Sequence, residues 1–261
     1  MTSLLIDDFG SWRKITLNRP DRLNSFNAEL KTEVLAALAD AAQAPGCRAL
    51  LITGAGRGFC AGQDLQERAR AEGEAALSFR DTLEEFYNPL ALAIRRMEKP
   101  VVCAVNGVAA GAGANLALSC DIVIAARSAR FIQAFSNIGL TSDTGGSWYL
   151  PRLVGDARAR GLLMLGLPVE AEQAERWGMI WQCVEDDELD AQAHALTSSL
   201  AARPTRALAN MKALLDHSCR LSLEDQLDAE AHSQDEMGGT DDYREGVAAF
   251  LARRTPRFHG R

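Results

Sequence analysis

Residues 99–115 read Lys-Pro-Val-Val-Cys-Ala-Val-Asn-Gly-Val-Ala-Ala-Gly-Ala-Gly-Ala-Asn, and they restrict the fold more than any other stretch of the chain. Val101–Val105 is an apolar run rich in β-branched residues and entered through Pro100, the pattern of a short buried strand. Gly107 to Gly113 supply small residues at a turn, and Asn115 to Cys120 have the Ala/Leu content of a helix start. Strand, glycine turn and helix together aim backbone N–H groups at one spot. The first helical turn has donors without intrahelical acceptors, and it carries the positive end of the dipole. Alanine and glycine let a ligand come close to that backbone. A tight α/β corner without a ligand has the same composition, so both readings stand at this point.

The chain before this stretch opens with a predicted hairpin, Ser3–Ile6 and Trp12–Leu17, with turn chemistry at Asp7–Ser11. A polar loop, Asn18-Arg-Pro-Asp-Arg-Leu-Asn-Ser25, follows, and Asn27 is placed to cap a helix over Ala28–Ala42. Ala49–Thr53 is a second buried strand that opens into Gly54-Ala-Gly-Arg-Gly-Phe-Cys-Ala-Gly-Gln-Asp64. Residues 65–80 are charged and alanine-rich, the composition of a mobile segment, and Asp81–Met97 reads as a long amphipathic helix. Beyond the central turn, Ile122–Ala125 and Arg130–Phe131 are short strands, and Gly139 to Ser147 form a third glycine-rich loop running into a helix near Trp148. A helix is predicted after Pro168, stopped by Gly178, and Trp181–Val184 is the last strand. From about Asp187 onward the pattern is helical, with Pro204 and Ser222 as starts.

A chain of 261 residues, 47% hydrophobic, is long enough to bury a large core. No run of about 18 apolar residues is present, and the first eight residues lack the basic and apolar blocks of a signal peptide, so a cytoplasmic location is expected. The six cysteines are scattered with no CxxC, which predicts free thiols and neither a disulfide framework nor a metal site. A net charge of −7 without a long basic run argues against nucleic acid as the main partner.

None of the three glycine loops is a P-loop, a dinucleotide-binding Gly-x-Gly-x-x-Gly or a nucleophile-elbow Gly-x-Ser-x-Gly. All four histidines lie in the C-terminal helical part, away from the loops. Carboxylates remain. Asp121 reads as a structural hydrogen-bonder at a strand edge, and Asp64 as a cap for the segment after it. Asp143 has two readings: a cap for the following helix, or a catalytic base with room for a substrate beside Gly145-Gly146.

Taken together the loops resemble the enoyl-CoA hydratase/isomerase (crotonase) superfamily. The likeness rests on Phe59-Cys-Ala-Gly-Gln-Asp-Leu65, on Lys99-Pro100 with Asn106-Gly107 and Gly111-Ala-Gly113, and on Gly139 through Asp143-Thr-Gly-Gly146. It runs in order over nearly the whole chain, from Asn18-Arg-Pro20 and Leu23-Asn24-Ser25 to Glu245–Arg254. The resemblance implies an α/β fold, a right-handed spiral of ββα turns over residues 1–200, and a helical region over 201–261 that assembles trimers or dimers of trimers. It also implies an oxyanion hole for the thioester carbonyl, made by the backbone N–H groups of Gln63 and Ala112 beside Gly111. Two preorganised donors with a helix dipole behind them suit the enolate formed by removing a proton next to a thioester.

The departures from the family pattern narrow the chemistry. Hydratases of this family manage water with two glutamates, whose positions here are Asn115 and Phe135, so water addition is not expected. An aspartate at the Asp143 position serves family members as a single acid–base group, or as a nucleophile in the chlorobenzoyl-CoA dehalogenase branch. One carboxylate that takes a proton from one carbon and returns it to another is sufficient for an isomerase. Segments 54–65, 106–114 and 243–247 look most like the branch that isomerises ring-1,2-epoxyphenylacetyl-CoA to oxepin-CoA in phenylacetate catabolism. A Δ3,Δ2-enoyl-CoA isomerase, an Asp-nucleophile enzyme and a non-catalytic RNA-binding homologue are the alternatives. The resemblance further implies that Arg22, Leu23, Ala61, Asp64 and Leu65 line the coenzyme A path. Phe250 and Arg253 would reach it from a neighbouring subunit, and Arg19, Arg22 and Arg253 would gather near the phosphates. Phe86, Tyr87, Phe135 and Trp148 are the expected acyl-pocket residues. No cofactor is expected beyond the coenzyme A of the substrate itself.

Overall fold

The computed structural model describes residues 2–68 and 78–261, so most of the segment expected to be mobile lies outside the described residues. The hairpin forms as β1 (Leu4–Asp8) against β2 (Arg13–Leu17), antiparallel. β2 then pairs in parallel with β3 (Leu50–Gly54), and the sheet continues through β5 (Val101–Val105), β7 (Ile122–Ala126) and β10 (Gln182–Val184). β3 and β5 are buried at every position, which is why they read as unbroken apolar runs rather than alternating ones. A smaller sheet takes β4 (Gly58–Cys60), β6 (Val108–Ala110) and β8 (Arg130–Ile132) in parallel, with β9 (Pro168–Glu170) antiparallel at its edge. Pro168 therefore starts an edge strand, where its missing N–H is tolerated, and the expected helix begins three residues later as α7 (Ala171–Arg176); the intervening helices are introduced below.

The ββα spiral follows from this order. β3 and β4, β5 and β6, and β7 and β8 each put their first strand in the large sheet and their second in the small one, with helix after each pair. α1 (Ala28–Gln43) starts at Asn27, whose Oδ1 accepts from Leu30 N at 2.9 Å, and buries Leu30, Val34 and Leu38 at helical spacing. Each such side chain contributes about 1.5–3 kcal/mol on burial. The long helix expected before β5 is α2 (Phe79–Thr82), a π turn over Leu83–Tyr87, and α3 (Asn88–Arg95). α4 (Ala112–Ser119) is buried along its whole length, as its small and apolar composition allows. α5 (Gly146–Val154) and α6 (Asp156–Leu165) follow the third glycine loop.

α8 (Leu189–Ala201) packs across the large sheet, and α9 (Thr205–Ser218), α10 (Leu223–Gly238) and α11 (Asp241–Leu251) complete the chain, with α9 and α10 starting at Pro204 and Ser222 as the sequence indicates. Lys212 on α9 donates to Asp121 Oδ2 at 2.9 Å and to the Ile94 carbonyl at 2.8 Å. The same Asp121 oxygen accepts from Val101 N, the strand-edge role expected of it. Arg95 pairs with Asp216, and Arg48 bonds the carbonyls of Arg203 and Phe258, so the C-terminal helices are tied to the spiral by charge. Among the described residues no helix is long and apolar enough to cross a membrane.

Candidate active site

The site is built where β4 and β6 end and α4 begins. Gly111 caps α4 with φ +52° and has no side chain to cover the first N–H groups of the helix, that of Ala112 foremost. Gly113 is demanded by space: a Cβ there would stand 2.2 Å from the Cys60 carbonyl oxygen. This close approach sets the start of α4 directly against the second glycine loop. A Cβ on Gly62 would lie 3.3 Å from Ala112 N, so the residue before Gln63 abuts the first amide of the helix. Gln63 bridges Phe26 in parallel, with Phe26 N donating to Gly62 O at 2.8 Å and Asp64 N to Phe26 O at 3.0 Å. In such a bridge the N–H of Gln63 itself turns to the opposite side of the loop.

Asp143 lies on the third loop and is half-buried. Its carboxylate does not cap α5, whose N-cap is Gly145; that reading of Asp143 is overturned. Instead Oδ1 accepts a hydrogen bond from the Thr144 hydroxyl at 2.8 Å. Burial pushes the Asp143 carboxyl above its ordinary value, and the Thr144 hydroxyl opposes part of that rise. Thr144 is buried and sits at φ +49°, a conformation a β-branched residue rarely adopts. The Asp143 backbone carbonyl accepts from Gly146 N at 2.9 Å and from Asn115 Nδ2 at 2.8 Å. Asn115 thus spends its amide on the loop, and Phe135 brings a ring edge to the Gly111 turn, where a Cβ would be 3.6 Å from its Cζ. Neither position of the expected glutamate pair carries a carboxylate.

The other expected residues fall into distinct settings. Leu23 and Asn24 both have positive φ, and buried Asn24 holds the loop by donating to the carbonyls of Ala55 and Gly58. Ala61 N donates to Leu23 O at 2.9 Å, which joins the first and second loops. Asp64 caps the short 3-10 turn Leu65–Arg68 through Gln66 N and pairs with Arg19 at 3.0 Å. Arg19 also bonds the Ser25 carbonyl. Its guanidinium thus joins the first loop to the second. Arg22 and Arg253 are exposed, as are Leu65 and Phe250, the last at 82% on α11.

Of the four aromatic residues, Phe135 is the one seated at the Gly111 turn. Phe86 and Tyr87 belong to the buried core, edge-on to Phe26. Trp148 lines a cavity of about 520 Å³ with residues of α3 and α9, its ring under the Arg152 guanidinium at 4.1 Å. Burial pushes the Cys60 thiol up to about 12, so it is no nucleophile at neutral pH. Among the described residues no group of three metal-ligating side chains comes together. The sequence does not mark Gln133 as a partner of Asn115 or Arg19 as a partner of Asp64, because each acts through a tertiary contact, and Thr144 meets its neighbour Asp143 through a backbone conformation that no local pattern signals.

Comparison with known proteins agrees with this architecture. Residues 10–261 match the enoyl-CoA hydratase/isomerase family, and the chain belongs to it, as an enzyme of the acyl-CoA isomerase/hydratase type. It is 51% identical over 247 residues to the 1,2-epoxyphenylacetyl-CoA isomerase of Escherichia coli (strain K12), covering 95% of this chain and 94% of that protein. It is 34% identical to the trans-2-decenoyl-[acyl-carrier-protein] isomerase of Streptococcus mutans, again over 95% and 94% of the two chains. Among solved structures, an enoyl-CoA hydratase of Mycobacterium smegmatis superposes with a TM-score of 0.90 at 31% identity, over 99% of this chain and 100% of that one.

Proposed function

We propose that the protein is an acyl-CoA isomerase that converts ring-1,2-epoxyphenylacetyl-CoA to oxepin-CoA. The observation that carries this is a lone carboxylate, Asp143, held by Asn115 to the helix whose first amide is that of Ala112, with no second carboxylate at Phe135. In this reading the N–H groups of Gln63 and Ala112 draw charge onto the thioester oxygen as Asp143 removes the α-proton. The epoxide's shared carbon–carbon bond opens into the seven-membered ring, and the same proton returns to a ring carbon. Composition is conserved and neither water nor a cofactor is consumed. The 51% identity to an enzyme of that name supports the substrate. Double-bond migration from 3-enoyl- to 2-enoyl-CoA needs the same two parts, and the resemblance to a decenoyl-thioester isomerase favours it as the second reading.

Coenzyme A would follow the loop of Arg22 and Leu23 and the run Ala61, Asp64 and Leu65. Phe250 and Arg253 of a neighbouring copy would close over it in a trimer or a dimer of trimers, placed in the cytoplasm. The exposed apolar side chains of α9–α11, among them Leu215, Tyr243, Phe250 and Leu251, support an assembly through this face.

The test offers wild type and Asp143→Asn, in parallel, epoxyphenylacetyl-CoA, 3-enoyl-CoA and crotonyl-CoA. Wild type should isomerise one or both of the first two and leave crotonyl-CoA unhydrated. Asp143→Asn should lose about 10²–10⁴-fold in turnover. Hydration of crotonyl-CoA by wild type, or a covalent acyl adduct on Asp143 seen by mass, would overturn the reading.

A further inference from the structure

We infer that Asn115 is a positioning residue: its carboxamide sets the Asp143 loop at a defined distance from the Ala112 amide, and Gln133 holds that carboxamide in orientation. The inference rests on the acid–base reading of Asp143 given above and adds residues to it. Asn115 is 0% exposed and lies three residues along α4 from Ala112, about 4.5 Å of helix axis. Its Nδ2 donates to the Asp143 carbonyl at 2.8 Å and reaches Ser142 Oγ at 3.5 Å. A carbonyl only accepts, so the nitrogen end of the amide must face the loop. Its Oδ1 is then left to accept from Gln133 Nε2 at 2.9 Å, which sets the orientation of the Gln133 amide in turn.

One helix therefore carries both the amide at Ala112 and the side chain that holds the loop of Asp143. Gly146 makes the contact possible, since a Cβ there would stand 2.3 Å from Asn115 Nδ2. Gln133 is 2% exposed, and its Oε1 is buried with no hydrogen-bond partner among the described residues. An unpaired buried acceptor is unfavourable, and an apolar residue of the same shape would avoid it. The glutamine gives one of its two amide N–H donors to Asn115 in return. A carboxylate at 115 could not donate to the Asp143 carbonyl, and it would put a second negative charge beside the loop of a carboxyl already raised by burial.

The experiment compares kcat and KM on epoxyphenylacetyl-CoA and 3-enoyl-CoA for wild type, Asp143→Asn, Asn115→Ala, Asn115→Asp, Gln133→Met and the double variant Asn115→Ala/Asp143→Asn. Misplacing the loop by about 1 Å should lower kcat of Asn115→Ala about 10²-fold with KM changed less than about threefold. Gln133→Met, close in volume, should lose about tenfold in kcat and decides the matter if Asn115→Ala does not fold. Asn115→Asp should in addition move the acid limb of the kcat–pH profile upward, which loss of a purely structural contact would not do. The double variant should be no slower than Asp143→Asn alone, since the two residues act as one unit. If Asp143→Asn is inactive while Asn115→Ala and Gln133→Met keep kcat within about twofold, or change only KM, the positioning role is refuted and the acid–base reading survives. If Asp143→Asn retains turnover, the acid–base reading itself fails.

Discussion

Asp64 and Asp143 end or sit within glycine-rich loops, each followed by a helical turn, yet the fold gives them opposite electrostatic states. Asp64 is paired with Arg19 and bonded to Gln66 N, so its charge is satisfied in place. Asp143 is desolvated and has a single hydroxyl, that of Thr144, on one oxygen. The difference teaches that a carboxylate's chemistry is set by what reaches it from elsewhere in the chain. Arg19 lies 45 positions from Asp64, whereas no described cation is brought to Asp143. A paired carboxylate holds a loop; a desolvated one keeps its proton to higher pH than a free carboxyl does.

The largest expected contrast is in turnover. Asp143→Asn should cost about 10²–10⁴-fold in kcat, whereas Asp64→Asn should leave kcat within about tenfold, measured on the same substrate. Equal losses would erase the distinction between the two loops. Next comes stability: Arg19→Ala leaves Asp64 with no cation and frees the Ser25 carbonyl, and should lower the unfolding free energy by about 1–3 kcal/mol in urea titrations. No change would show that the pair is worth no more than a surface ion pair.

Smaller and opposite in sign is the stability effect of Asp143. Its carboxyl is raised in the folded protein, so its contribution is fully present below the unfolded value of about 4 and is lost as pH rises through the folded one. Asp143→Asn should therefore melt higher than wild type at pH 7, with the gap closing below about pH 4. A variant that melts lower at pH 7 would count against a desolvated, unpaired carboxylate. The finest test is Thr144→Val, which keeps shape and removes the donor to Oδ1. Asp143 should rise further, so the acid limb of kcat/KM should shift to higher pH, while the same limb in an Arg19→Ala variant should stay where it is.

Much of the spiral was legible because its strands are continuous apolar runs and its helices carry their own start signals. Val101–Val105, Asn27 before α1, and Ser222 before α10 all act through neighbours in sequence. The errors have equally local causes. The helix expected after Pro168 does follow it, but the edge strand β9 comes first, because only the partner β8 distinguishes a strand there from a turn. The readings of Asp64 as a cap and Asp143 as a cap looked alike, and the first is correct and the second is not. The roles of Asn115, Gln133 and Thr144 about the site were hidden, since an amide or hydroxyl carries no mark of which carbonyl or carboxylate it will meet.

By itself, then, the order of residues determined where backbone donors cluster: a strand, a glycine turn and a helix of small residues follow one another, and the fold places the first amide of that helix at Ala112. It also determined which carboxylates are absent, at 115 and 135. The tertiary structure alone decided which aspartate is neutralised and which is left desolvated, and that the Asn115 carboxamide ties α4 to the Asp143 loop. Hydrogen bonds and solvent exclusion depend on distances between segments far apart in the chain, and only packing brings those segments together.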